Sequence, residues 1–161
     1  MAVLNPTSRA TVAAMVFCLL AAVAPAEADS GAFLSSVKKH TLLTSTSPEN
    51  GDQNPYALVV APVAAGIVQK NDVLVDNFNN KGNLQGTGTT IIDYRPSTGQ
   101  ITSFATLPAA LPGCPGGVGL TTAMTMLKSG WVIVGSAPST DGTAKTLGQG
   151  CLIVLDSQGK V

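Results

Sequence analysis

The sequence predicts an all-β fold assembled from repeated units, and three observations carry that reading. Beyond Gln53, short apolar runs alternate with turns rich in Gly, Pro, Asn and Ser. Most of these runs are rich in β-branched residues and too short for a typical helix. They also recur, with matching glycines and matching apolar strings, at a period of about 60 residues.

The first 28 residues stand apart and read as a secretory signal. Arg9 supplies the positive start. An uncharged run of about 14 residues follows, from Ala10 to Val23, shorter than the roughly 20 a membrane-spanning helix needs. Ala24-Pro25-Ala26-Glu27-Ala28 offers small residues for a signal peptidase, with cleavage expected after Ala28 and, as the alternative, after Ala26. An uncleaved anchor is the competing reading. Cys18 lies inside the apolar run and the preceding Met15-Val16-Phe17 lacks the small residue that a lipidation site needs. The expected location is therefore periplasmic or extracellular. The chain carries 9 basic and 9 acidic residues, only 11% are charged and only 4% are aromatic. That balance argues against a nucleic-acid partner and, once the signal is removed, against a membrane surface. Two cysteines remain, Cys114 and Cys151, an even count that permits one disulfide in an exported chain.

Residues 29–53 are rich in Ser and Thr and read as a flexible lead-in, with Ser47-Pro48-Glu49-Asn50-Gly51-Asp52 as a loop. Strands are expected over Tyr56–Ala61, Val73–Val75, Thr89–Tyr94, Ile101–Leu107, Gly119–Leu127, Trp131–Val134 and Cys151–Leu155. Several are apolar on successive residues, as suits strands buried on both faces. Met124, Met126 and Leu127 leave a helix open for Gly119–Leu127.

The repeat aligns Asn71-Asp72-Val73-Leu74-Val75 with Gly130-Trp131-Val132-Ile133-Val134, a shift of about 59 residues. Gly86-x-Gly88-x-x-Ile91 aligns with Gly148-x-Gly150-x-x-Ile153 at about 62, and Ser97-Thr98-Gly99 with Ser157-Gln158-Gly159 at about 60. Four strands per unit at this period are the signature of β-propeller blades. Gly86-Thr87-Gly88 superficially suggests a phosphate loop. Such a loop would run into a helix and usually carries Gly-Lys-Ser/Thr. Here it leads into a β-branched strand, where glycine permits a bulge or close backbone approach.

The strings "NPYALVVAP", "VLVDNFNN", "LQGTGTTIIDYRPSTGQI" and "CPGGVGLTTAMTMLKSGWVIVGSAPSTDGT" resemble an exported bacterial family of NHL-repeat-like β-propellers. The resemblance covers about residues 54–161 and implies a propeller of roughly six or seven blades in a longer chain. On this reading residues 54–107 form blade 1 and residues 108–161 most of blade 2. The sequence is then expected to be an N-terminal fragment whose remaining blades are missing.

Chemistry is sparse. Asp76, Asn77, Asn79 and Asn80 are expected in a connection between strands, where their oxygens could meet a ligand. Their spacing fails the calcium-loop pattern, and an Asn-rich turn is the plainer reading. Propeller lactonases and related hydrolases hold a central metal through Glu, Asp and Asn. After the signal the only Glu is Glu49 and the only His is His40, both in the lead-in. Ser35-x-x-Lys38 lacks partner motifs. No catalytic residue, metal site or cofactor is assigned. Cys114 and Cys151 fall on the same end of one blade, where loops could bring them within disulfide reach, the alternative being two free thiols. The reading favoured is a binding or scaffold module with an unknown ligand or protein partner. The alternatives are part of a propeller lactonase or hydrolase whose catalytic residues lie in missing blades, and a non-functional truncation product.

Overall fold

A computed structural model describes residues 33–161. The predicted signal segment, residues 1–28, lies outside them, as does the start of the lead-in. Of the described residues, those up to Thr41 belong to one unit and Leu42–Val161 to another. In the first, Phe33–Ser36 makes a single 3-10 turn, and Lys38 and His40 are exposed.

The second unit is all-β, with two antiparallel sheets. The first contains β1 (Gln53–Val60), β2 (Val73–Asn79), β3 (Thr90–Arg95) and β4 (Gln100–Thr106), in that order. The second contains β5 (Leu120–Met126), β6 (Val132–Ser136) and β7 (Cys151–Leu155), again in chain order. The helix left open for Gly119–Leu127 is thus a strand. Its Met124 and Met126 alternate with Thr125, and all three residues pair with β6, which is the period a strand imposes.

The sheets stack face to face. Leu74, Ile91, Phe104 and Ala105 from the first sheet form one core with Leu120, Val132, Val134, Ile153 and Leu155 from the second. Leu74, Ile91, Leu120, Val132, Val134 and Leu155 have no exposed surface. Burying a side chain of this size contributes about 1.5–3 kcal/mol, so this interlayer seam is the main stabilising contact.

The two sheets share their irregularities as well as their order. The first strand of each is bulged, between Pro55 and Leu58 in β1 and between Leu120 and Met124 in β5. A residue at positive φ precedes the second strand of each, Asn71 at 71° and Gly130 at 92°. Beyond the third strand, Gly99 and Gly159 turn the chain at φ of 70° and 74°.

The repeat alignment needs one correction. Val75 pairs with Ile92, and its counterpart Val134 pairs with Ile153. The ladder therefore matches Ile92, not Ile91, with Ile153. Because side chains alternate, a slip of one residue reverses the face. Accordingly Ile91 lies in the core shared by the sheets and Ile92 does not.

The lead-in also differs from expectation. Asp52 is 4% exposed, and its Oδ2 accepts hydrogen bonds from the Thr89 amide at 2.8 Å and the Thr89 and Thr90 hydroxyls at 3.1 and 3.0 Å. Thr46 presents its carbonyl to the Asn77 side-chain amide at 2.8 Å. Residues 44–52 therefore form a strap across the outer face of the first sheet rather than a free loop, because buried hydroxyls and amides there need partners.

Candidate functional site

Antiparallel order puts three connections at one end of the stacked sheets: β2 to β3, β4 to β5, and β6 to β7. Backbone hydrogen bonds tie them together. Ser139 N donates to Gly86 O at 2.9 Å, Leu120 N to Gly88 O at 2.9 Å and Ala137 N to Gly119 O at 2.9 Å. Cys114 in the second connection and Cys151 at the end of the third are disulfide-bonded, with Cα atoms 5.4 Å apart. The expected pairing is present and fixes the same end.

Asp76, Asn77 and Asn79 do not lie in that connection. They form the second half of β2, and only Asn80 follows it. The strand continues through these polar residues because tertiary partners satisfy them. Ala57 N donates to Asp76 Oδ1 at 2.9 Å. Asn77 donates to Thr46 O and, at 3.0 Å, to the Thr90 hydroxyl. Asn79 donates to Asn83 Oδ1 at 2.7 Å. Alternation along β2 sends Asp76 to the face turned toward the second sheet and Asn77 and Asn79 to the opposite one. Asn80 receives the Leu84 amide in the turn at 3.3 Å. The four residues do not converge on one point. The left-handed asparagines are Asn54, Asn71 and Asn83 instead.

Asp76 Oδ2, Asn77 Oδ1, Asn79 Oδ1 and Asp93 Oδ1 are buried without a hydrogen-bond partner. Burial raises the Asp76 carboxyl from 3.8 to about 6, against the opposing hydrogen bond from Ala57. Asp93 is also raised to about 6, first by burial and then by the neighbouring Asp72 charge, with Arg95 acting the other way. Asp72 is engaged by Arg95, whose Nη2 lies 2.9 Å from Asp72 Oδ2. Arg95 also donates to Ile67 O at 3.3 Å, and Ile67 N to Ser157 O at 3.1 Å. The contacts running from Asp72 through Arg95 and Ile67 to Ser157 join the two sheets at the end opposite the disulfide. Among the described residues no group of three or more His, Cys, Asp or Glu is arranged to hold a metal.

Two of the hollows among the described residues adjoin one another. One, of about 290 Å³, sits between the β2–β3 and β6–β7 connections and is lined by Phe78, Gln85, Thr121, Thr122, Thr143 and Leu147 among others. The other, of about 560 Å³, runs from β1 onto the outer face of the second sheet, past Tyr56, Leu58, Met124, Ile133 and Leu152. Thr122 borders both. Tyr56 from the second hollow and Phe78 from the first are ring neighbours, 4.9 Å between centroids and tilted by 49°. Sequence reasoning missed this pair, because Tyr56 and Phe78 meet only through the β1–β2 register; their isolated occurrence in a chain with few aromatics was the one available signal.

Among the described residues no helix is long and apolar enough to cross a membrane. Comparison of the chain with protein-family models, curated proteins and solved structures found no match.

Proposed function

We propose that the two sheets are successive blades of an exported β-propeller and that the protein is a binding module working through its loop end. The observation that carries this reading is the facing of equivalent residues. Leu74 and its counterpart Ile133 occupy the same position in the second strand, yet Leu74 is buried in the shared core and Ile133 lies outside it. Val75 lies outside that core and its counterpart Val134 within it. Two sheets packed by mirror-like contact would bury the same position in both. Here the front of one sheet meets the back of the next, as in a stack that can be extended. On this reading Ile133, Leu152 and Val154 form the surface that a further sheet of the same kind would cover, in keeping with the resemblance to NHL-repeat-like propellers. The disulfide accords with an exported protein.

An experimental structure of the protein recovered from the periplasm or medium tests the proposal. Leu74 should oppose Val134 across the interlayer. Leu74 opposing Ile133, or a product with Met1 retained in the cytoplasm, would overturn it. A panel of lactone and ester substrates, assayed with divalent metal added, tests the module reading against a hydrolase; turnover would favour the enzyme.

A further inference from the structure

Building on the binding-module reading, we infer that the junction of the two hollows at the loop end is a site for a neutral sugar ring, seated against Phe78 and Tyr56. Three features point to that chemistry. First, an aromatic pair stands at the junction with Tyr56 52% exposed, although aromatic residues are only 4% of the chain. An aromatic face offers apolar contact to the C–H face of a pyranose at little entropic cost.

Second, polar groups without a partner surround it. The Gln85 carboxamide and the Thr122 hydroxyl line the 290 Å³ hollow and make no hydrogen bond within the described residues. Each can both donate and accept, as ring hydroxyls require. Third, no Asp, Glu, Lys or Arg lines this hollow. Asp141, the nearest acid in the connection, is instead engaged by the Thr143 amide at 2.8 Å and the Thr146 hydroxyl at 2.5 Å. A carboxylate or phosphate ligand would lose its water here without gaining a counter-charge.

The site is also held in shape before any ligand arrives. Ser139 O–H or Thr146 O–H bridges the β6–β7 connection at 2.8 Å. The amide of Gly142 donates to Ser139 Oγ at 2.9 Å, and Gly142 itself abuts Leu84 and Gln85 of the other connection at a φ of 79°. A small hollow of this kind, mostly apolar with a few placed polar groups, is the usual form of a small-molecule site.

The test uses the exported protein with its disulfide intact. Glucose, galactose, mannose and N-acetylglucosamine are titrated separately, with glucuronate as the charged comparator, and binding is read by ligand-observed NMR and calorimetry. At least one neutral sugar should bind in the millimolar range and more tightly than glucuronate. Phe78→Ala should weaken it by at least about tenfold, and Thr122→Val with Gln85→Ala by a similar factor. The latter two sites are exposed, so the double variant keeps the test valid if Phe78→Ala does not fold. Binding of no neutral sugar, equal or tighter binding of glucuronate, or full binding by the double variant overturns the inference. An experimental structure that keeps Leu74 opposite Val134 while these titrations fail would sink the sugar site alone and leave the stacked-sheet reading standing.

Discussion

Gly88 lies directly against the backbone carbonyl of Asn77, so closely that a methyl group at Gly88 would overlap the oxygen. Its counterpart Gly150 stands in the same relation to Ser136, where a Cβ would come within 2.9 Å of the carbonyl oxygen. The glycine-rich stretches that resemble phosphate loops are thus close-approach points between the second and third strands. Gly88→Ala should cost at least about 3 kcal/mol, since only backbone could move to relieve the overlap. Gly99→Ala meets nothing within 4 Å and its strain is confined to a φ of 70°, so about 1 kcal/mol is expected. Urea unfolding of the two variants separates these outcomes, and equal losses would contradict the steric argument.

The strap depends on Asp52. Three donors converge on Asp52 Oδ2, and all three belong to the Thr89–Thr90 corner that begins β3. Removing the acceptor strands a part-buried amide and a buried hydroxyl. Asp52→Ala should therefore destabilise by about 2–4 kcal/mol, while Glu49→Ala, at an exposed position three residues earlier, should lie within about 0.5 kcal/mol of the parent. Hydrogen exchange at the Thr89 amide reports the same event locally and should accelerate in Asp52→Ala.

These two cases show which parts of the structure the sequence could reveal. Apolar runs located all seven strands, and Cys151–Leu155 was read to its ends, because alternation and turn glycines are local signals. The second half of β2 resembles a turn in sequence because Asp76, Asn77 and Asn79 are turn formers in isolation. The partners of Asp76 and Asn77 lie 19 and 31 residues away at Ala57 and Thr46, beyond any local pattern. Asp52 does lie in a loop, as its sequence suggests, but its anchoring contacts are 37 and 38 residues distant and leave no local signal. The slip of Ile91 against Ile153 arose because the glycine spacing repeats while the ladder register is set by the neighbouring strand. The expected ligand cluster at Asp76–Asn80 dissolved with the turn, and the hollow beside Phe78 depends on two connections meeting across a sheet boundary.

Stability should rise as pH falls through about 6, and the sign follows from the buried acids. Asp76 and Asp93 each titrate near 6 when folded and near 3.8 when unfolded. The folded protein therefore holds protons that the unfolded chain releases between those values, and acid favours the folded state in that window. The benefit is full below about 4 and lost by the time pH has risen past about 6, with a total on the order of 2–5 kcal/mol for the two groups. Asp141 and Asp156, held below their ordinary value chiefly by a hydrogen bond from the Thr146 side chain and by the Lys160 amide respectively, oppose further gain in stronger acid. Asp76→Asn keeps an acceptor for Ala57 N and removes the titration. It should raise stability at neutral pH and reduce the slope. Denaturant midpoints across the range would show this, and a midpoint that falls steadily from neutral to mildly acidic pH would contradict it.

Reduction of Cys114–Cys151 opens a loop of 37 residues. By the chain-entropy argument the loss is about 3–4 kcal/mol. The cost should concentrate at the loop end, because Cys151 anchors the return of the β6–β7 connection into β7. Thiol titration of the denatured, unreduced protein should find neither cysteine free, and reduction should lower the unfolding midpoint. Two free thiols in that titration would refute the bond.

Self-association is expected of residues 29–161, and the second sheet indicates where. Among the described residues β7 pairs with β6 alone, so within them its other edge is open to a strand. The outer face beside that edge is apolar, with Leu152 74% exposed, Trp131 47% and Val154 44%. The equivalent face of the first sheet, around Leu74 and Ile91, is buried in the shared core, so this surface has the composition of an interior. An apolar face next to an unpaired edge should draw molecules together as concentration rises. Trp131, the one tryptophan in the chain, should then lose solvent contact and its emission shift to the blue with increasing concentration. Leu152→Lys combined with Val154→Lys places charge on the exposed positions of β7 while leaving the buried Ile153 and Leu155 in place. That variant should remain monomeric in sedimentation velocity under conditions where the parent forms larger species. A parent protein that stays a monodisperse monomer with a sharp cooperative transition would show that the second sheet is stable with this face in water.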